Sequence, residues 1–223
     1  MSPETIHLRP HADVAERVLL PGDPGRALRL AQQLIDGPKM LNHNRGLWGY
    51  TGIARDGAAL TVQATGMGGP SAAIVAEELV RLGARRLLRV GTCGALDGGL
   101  RLGELLAAEA ALPEDGASRA LGATGPLPAD PVLQAALQAR PGLVVSADLF
   151  YDPDADRPAR WRAAGAIAVD MEAATLFAVA ARHGVPAACL LVVSDIVATG
   201  ERISVEQLLA AEQELGRVAL AAF

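Results

Sequence analysis

The sequence predicts a single α/β domain over residues 1–223, with strands and helices alternating around a largely parallel sheet. Short apolar runs alternate with segments of helical periodicity, and several runs are apolar on both faces, as buried parallel strands are. The runs end in glycine or small polar residues. The composition agrees, because 51% hydrophobic and 20% charged residues can build a large aliphatic core.

The element boundaries follow from apolar runs and turn residues. Strands are predicted at Arg17–Leu20, Ala59–Ala64, Arg86–Val90, Leu143–Ser146, Ala166–Val169 and Ala187–Val193. Helices are predicted at about Arg26–Leu34, Ser71–Gly83, Met171–Arg182 and Val205–Ala222. Ser71 is expected to cap the second helix, and Gly116–Pro141 is expected to form loops around one helix.

Charge and cysteine usage exclude several classes of protein. The net charge of −5 argues against a nucleic-acid binder, although a few arginines can still form a local positive pocket. The two cysteines, Cys93 and Cys189, have no metal-ligand spacing and are predicted to be reduced core thiols. Neither a signal-peptide core nor a membrane-length apolar run is present, so we expect a cytoplasmic protein without a metal site.

Glycines and small polar residues follow five of the predicted strands. In a parallel sheet the carboxyl ends of the strands meet at one edge, where ligands bind. The segments that we expect to converge there are Gly22–Pro24, Gly66–Gly68, Gly91–Gly94, Ser146–Asp148 and Ser194–Asp195.

Two arginines near these glycines could bind an anion. Gly22 would let backbone N–H groups approach it, and Arg26 would supply a planar fork at a helix start, although a plain tight turn is equally compatible. Arg89 interrupts an apolar strand, which is costly unless it meets an anion or an internal carboxylate. Thr92, expected just past the strand end, could add a neutral hydrogen bond. Arg45 by itself is an ordinary loop charge.

Three carboxylates lie at strand ends. Asp170 and Glu172 stand at a strand-to-helix junction, where Asp170 could simply cap the helix and Glu172 could bind a diol such as ribose. Asp195 ends an apolar strand, and partial desolvation there favours the protonated form that a general acid requires. A capping role for Asp195 is the alternative.

Taken in order, seven motifs resemble the hexameric purine nucleoside phosphorylases and the archaeal-type methylthioadenosine phosphorylases, within the superfamily that also holds uridine phosphorylase. They are Pro21–Ala27, Asn44–Gly46, Gly66–Ser71, Arg89–Ala95, Ser146–Tyr151, Val169–Ala173 and Val193–Asp195. The resemblance spans nearly the whole chain. It implies a mixed, partly barrel-like sheet surrounded by helices, and a hexamer built from dimers with shared active sites.

The resemblance also implies a role for each matching residue. Phosphate, the co-substrate in place of any cofactor, would be held by Gly22, Arg26, Arg89, Thr92 and a neighbouring subunit's Arg45. The nucleoside would be bound by His7, Phe150, Asp170, Met171 and Glu172, with His7 crossing the interface to the ribose 5′ side and Phe150 stacking on the base. Asp195 would protonate purine N7 or form a hydrogen bond there.

The sequence departs from the family pattern at two positions. Asp170 stands where the family commonly has glutamate, so that contact is expected to be shortened or lost. The arginine that often assists the aspartate falls near Leu208 by alignment, so the assistance is absent or comes from another residue such as Arg202.

The function that the resemblance implies is reversible phosphorolysis of purine nucleosides or deoxynucleosides. Residues 152–156 lack the glutamine and arginine with which uridine phosphorylases bind uracil, which favours purine. Methylthioadenosine phosphorylase and then uridine phosphorylase are the alternatives within the superfamily. A nucleoside hydrolase and a nucleoside-binding protein are the alternatives from other classes.

Overall fold

A computed structural model describes residues 5–223. Its central element is a mixed β-sheet. The strands are β1 (Arg17–Leu20), β2 (Lys39–Asn42), β3 (Gly49–Ile53), β4 (Ala59–Gln63), β5 (Arg86–Ala95), β6 (Leu105–Glu114), β7 (Leu127–Pro128), β8 (Arg140–Ala147), β9 (Ala168–Asp170), β10 (Ala187–Ile196) and β11 (Glu201–Arg202). The helices are α1 (Pro24–Leu34), α2 (Gly69–Arg81), α3 (Gly116–Ala120), α4 (Pro131–Ala136), α5 (Arg157–Ala163), α6 (Ala173–His183) and α7 (Val205–Ala221).

Five strands close into a barrel in the order β5–β10–β6–β8–β9, with β9 pairing back onto β5. β1 extends the sheet from β5 and continues through β4, β3 and β2. The prediction of a mixed, partly barrel-like sheet is therefore confirmed. A largely parallel sheet is wrong, because β9 runs antiparallel to β5 and β6 runs antiparallel to β10.

Two pairs of helices cover the sheet. α2 and α6 pack together over one buried cluster, and α1 and α7 pack together over another. Long aliphatic strands such as β10, buried from Ala187 to Val193, separate the two clusters. None of the helices in residues 5–223 is long and apolar enough to cross a bilayer.

Several local predictions need correction. Ser71 does not cap α2, which starts at Gly69 behind Gly68 in a left-handed conformation (φ 85°), and the Ser71 Oγ donates instead to the Thr65 carbonyl. Two short helices, α3 and α4, and one short strand, β7, form within Gly116–Pro141. β5 continues to Ala95, so Thr92 lies inside the strand rather than past its end.

Candidate active site

The centre of the candidate site is the almost fully buried guanidinium of Arg89. Its Nε donates to Oδ2 of Asp170 at 2.8 Å, and its Nη2 pairs with Oε2 of Glu172 at 2.5 Å. Its Nη1 is also buried and finds no acceptor among the described residues. An unsatisfied buried donor costs roughly 1–3 kcal/mol. A ligand oxygen that accepted from Nη1 would remove a cost already present in the fold.

Backbone spacing around Arg89 explains how a strand holds this side chain. Arg89 lies between Leu20 of β1 and Cys189 of β10, its register partners in two parallel pairings. A Cβ added at Gly91 would lie 2.7 Å from Nη2 of Arg89. Gly91 therefore leaves the space that the guanidinium occupies, and the predicted burial of Arg89 in its strand is confirmed.

Asp170 is buried, and both of its carboxylate oxygens have internal partners. Oδ1 accepts from the Ser146 hydroxyl at 2.6 Å, and Oδ2 accepts from the backbone N–H of Ala173 at 2.9 Å in addition to Arg89. The capping interpretation of Asp170 is thus confirmed. The same carboxylate also provides the internal ion pair that was the alternative for Arg89.

Glu172 connects Arg89 to the glycine-rich loop after β4. It stands at the N-cap position of α6, and its Oε1 accepts from the Gly68 N–H at 2.6 Å. Burial raises the pKa of Glu172, with Arg89 offsetting part of that rise and Asp170 adding to it. The carboxylates also act on Arg89: burial would lower its pKa, but Glu172 and Asp170 raise it overall.

The loops after β1 and β4 lie against each other beside this group. The Gly66 N–H donates to the Gly22 carbonyl at 3.1 Å, and a Cβ added at Gly22 would lie 3.2 Å from the Gly66 oxygen. Asp23 caps α1 by accepting from the N–H groups of Gly25 and Arg26. The two predicted glycine motifs therefore do meet, and α1 begins at their edge.

Asp195 lies at the other end of the strand pair. Its Oδ1 accepts from the Ser194 hydroxyl at 2.8 Å, and its Oδ2 lies over Gly94, where an added Cβ would be 2.8 Å away. From Arg89 to Gly94, β5 rises roughly 16 Å at about 3.3 Å per residue. The site is therefore elongated, with the arginine and the partly buried aspartate at opposite ends.

An exposed aromatic side chain stands at the aspartate end. The guanidinium of Arg202 lies 5.6 Å from the ring centroid of Phe150, which is exposed. Arg202 is the antiparallel register partner of Asp195, so the two side chains leave the same face of the β10–β11 pair. Leu208 lies half-buried on α7. Phe150 and Asp195 therefore share this end with Arg202.

Among residues 5–223, Asp170 and Glu172 are the only predicted site residues joined to Arg89 by a hydrogen bond or ion pair. His7 is half-buried, and its Nδ1 lies 2.8 Å from Oε1 of Glu78. Arg45 is exposed in a short 3-10 turn with a left-handed φ of 58°. Thr92 and Met171 are half-buried near the site.

The similarity of the chain to known proteins is extensive. The family described as the phosphorylase superfamily matches residues 16–223. The chain belongs to this superfamily. Among curated relatives, a purine nucleoside phosphorylase DeoD-type from Jannaschia sp. (strain CCS1) is 37% identical over 98% of each chain. A protein of the same name from Caldanaerobacter subterraneus subsp. tengcongensis is 34% identical over 97% of this chain and 98% of its own.

Membership of the phosphorylase superfamily confirms the resemblance drawn from the seven motifs. The sequence placed Gly68 and Ser146 at the ligand-binding edge of the sheet without indicating that they bind Glu172 and Asp170. Glu78 and Glu212 were not predicted at all. Glu212 carried a usable signal, because it stands four residues after Leu208 and three before Leu215, on the otherwise apolar stripe of its helix.

Removing the Arg89 guanidinium should destabilise the protein in a pH-dependent way. In Arg89→Met, Asp170 and Glu172 would be buried without their cation, at an expected cost of about 3–5 kcal/mol. Burial already raises the pKa of Glu172, and in the variant the charge of Arg89 would no longer offset that rise. The loss in free energy of unfolding, relative to the parent protein, should therefore be largest at neutral pH. It should shrink as the pH falls and the buried carboxylate takes up a proton.

Urea unfolding at pH 7 and pH 5 measures this effect. Arg101→Met is the matched control, because the Arg101 side chain is 88% exposed and should change stability little at either pH. If Arg89→Met lost the same free energy of unfolding at both pH values, Arg89 would not be stabilising ionised carboxylates in the interior.

Proposed function

We propose that this chain catalyses the reversible phosphorolysis of purine nucleosides, giving the free base and ribose 1-phosphate or its deoxy counterpart. The observation that carries the proposal is the buried Nη1 of Arg89, a charged donor with no acceptor among the described residues. A phosphate oxygen satisfies such a donor with a charge-assisted hydrogen bond. The two relatives, both purine nucleoside phosphorylases, support the same reaction.

Inorganic phosphate would bind at the Arg89 end of the site as co-substrate, and the reaction needs neither a metal nor an organic cofactor. The paired loops of Gly22 and Gly66 bring backbone close to this end. Arg26, in the first turn of α1, and Thr92 of β5 would add further donors. Arg45 is exposed on its own protomer, which suits a residue that completes the phosphate site of a neighbour.

The ribose would bind between the two ends, on the segment that joins β9 to α6. Glu172 would accept hydrogen bonds from the 2′ and 3′ hydroxyls, and Met171 would pack against the sugar. Asp170 would not contact the ribose directly, because its oxygens already bond to Arg89, Ser146 and Ala173. It would support the ribose contact of Glu172 through Arg89, which both carboxylates bind. His7 of a neighbouring protomer would approach the 5′ side of the ribose.

The purine would bind at the Asp195 end, stacked on Phe150. As the glycosidic bond breaks, the sugar gains oxocarbenium character, which the phosphate anion stabilises before it attacks. Asp195 donates its proton to N7 and so makes the base a better leaving group. Arg202, beside both Phe150 and Asp195, supplies positive charge at the end where Leu208 cannot.

The proposal extends to assembly and location. Sharing of Arg45 and His7 between protomers requires at least a dimer, and we propose a hexamer built from such dimers. We also propose that the enzyme works in the cytoplasm and binds neither nucleic acid nor membrane. Size-exclusion chromatography with light scattering measures the assembly directly.

The reaction is tested by base release from inosine, guanosine, adenosine, methylthioadenosine and uridine, each with and without phosphate. We expect phosphate-dependent release from purine nucleosides, and Arg89→Ala should raise the KM for phosphate sharply because it removes the buried donor. Release without phosphate would identify a hydrolase, and preference for uridine would refute the purine assignment. No release from any nucleoside would favour a binding protein, and an unchanged phosphate KM in Arg89→Ala would refute its role.

The acid role of Asp195 gives a second prediction. Asp195→Asn keeps the shape of the side chain but cannot donate the proton, so kcat on inosine should fall by about 10²–10⁴ while nucleoside binding changes little. An inosine methylated at N7 already carries the positive charge on its base, and the variant should cleave it at a rate close to that of the parent protein. Near-normal turnover of inosine by Asp195→Asn would exclude the acid role.

A further inference from the structure

A buried carboxylate on α7 binds a residue of the proposed phosphate site. Oε1 of Glu212 accepts from Nε of Arg26 at 2.7 Å, and both side chains are buried. Oε2 of Glu212 accepts from Nε of Arg29 at 2.8 Å. One carboxylate is therefore shared by two arginines of α1, although the pair Arg26–Glu212 is separated by 186 positions in the sequence.

Glu212 bonds to one nitrogen of Arg26, and the rest of that guanidinium can still bind a ligand. The ion pair engages Nε, and no hydrogen bond from the two Nη groups of Arg26 ends on a described residue. A guanidinium has five N–H donors in a planar fork, and the Nη groups are the ones that grip an oxyanion. Glu212 thus fixes the Nε side of the guanidinium and leaves the two Nη groups to bind a ligand.

The charges of this cluster favour an anion as that ligand. Glu212 alone would neutralise Arg26 and weaken its attraction for phosphate. Arg29 contributes a second positive charge to the same carboxylate, at 2.7 Å from Nη2. Arg26, Arg29 and Glu212 together carry a net charge of +1. Arg29 also lies 3.4 Å from the Asp23 carboxylate, but those two side chains are 42% and 50% exposed, so water weakens that pair. Arg29 therefore mainly offsets the buried charge of Glu212, and much of the charge of Arg26 remains for the ligand.

We propose that Glu212 is a positioning residue for phosphate, acting through Arg26. Holding Arg26 in one rotamer before binding removes an entropy cost that a free arginine would carry on binding. Through such preorganisation, Glu212 improves the affinity for phosphate although it does not contact the phosphate itself. This inference rests on the proposed phosphorolysis, and it assigns a role in substrate binding to α7.

The kinetic test compares KM for phosphate with kcat and with KM for the nucleoside. Glu212→Ala should raise the phosphate KM about five- to tenfold while kcat at saturating phosphate and nucleoside KM change little. Glu212→Gln should recover most of the loss, because its amide oxygen can still accept from Nε of Arg26. Arg29→Ala should also raise the phosphate KM, because the charge of Glu212 would then fall on Arg26 alone. Glu214→Ala, two residues away and paired with exposed Arg217, is the matched control that should change nothing.

A double-mutant cycle shows whether Glu212 acts through Arg26. In an Arg26→Ala background, Glu212→Ala should produce no further rise in phosphate KM. An additive rise would overturn the proposal, as would a lower phosphate KM in Glu212→Ala, which would identify the carboxylate as a competitor of phosphate. A fall in melting temperature with unchanged phosphate KM would leave Glu212 a purely structural role. If the unmodified protein cleaved nucleosides without phosphate, both the proposed function and the role of Glu212 would be overturned. The other contradicting outcomes would overturn the role of Glu212 alone.

Discussion

The fold is organised around one arginine buried in a strand between two carboxylates. A guanidinium in the interior is tolerated only where its charge and its donors are matched. Asp170 and Glu172 offset the positive charge of Arg89 and pair with two of its three nitrogens. Gly91 leaves the space for the guanidinium. The third nitrogen has no partner in residues 5–223, and this incomplete match is the property on which the proposed chemistry depends.

Barrel closure is what makes that arrangement possible. β9 pairs with β5 at one side of the barrel. Asp170 at the end of β9, and Glu172 just after it, can therefore reach Arg89, which precedes Asp170 by 81 positions in the chain. Because β10 runs alongside β5, Asp195 near the end of β10 lies further along the same strand pair, over Gly94. One rigid strand thus sets the separation between the anion end and the acid end of the site.

The sequence predicted the parts of this arrangement that are local. The interruption of an apolar run by Arg89 predicted its burial, and the junction position of Asp170 predicted its capping role. Pairings across the fold left no local signal: β6 is rich in alanine, a weak strand former, and its antiparallel pairing with β10 could not be read from it. The contact of Arg26 with Glu212 likewise depends on how α1 and α7 pack.

The most direct measurement is a crystal structure of the protein grown or soaked in inorganic phosphate, with the nearest oxygen measured from Nη1 of Arg89. We expect a phosphate oxygen at hydrogen-bond distance, about 2.7–3.2 Å, from that nitrogen. We also expect the pairs with Asp170 and Glu172 to be retained. Phosphate bound elsewhere, with Nη1 donating to an ordered water or a protein carbonyl, would contradict the central claim.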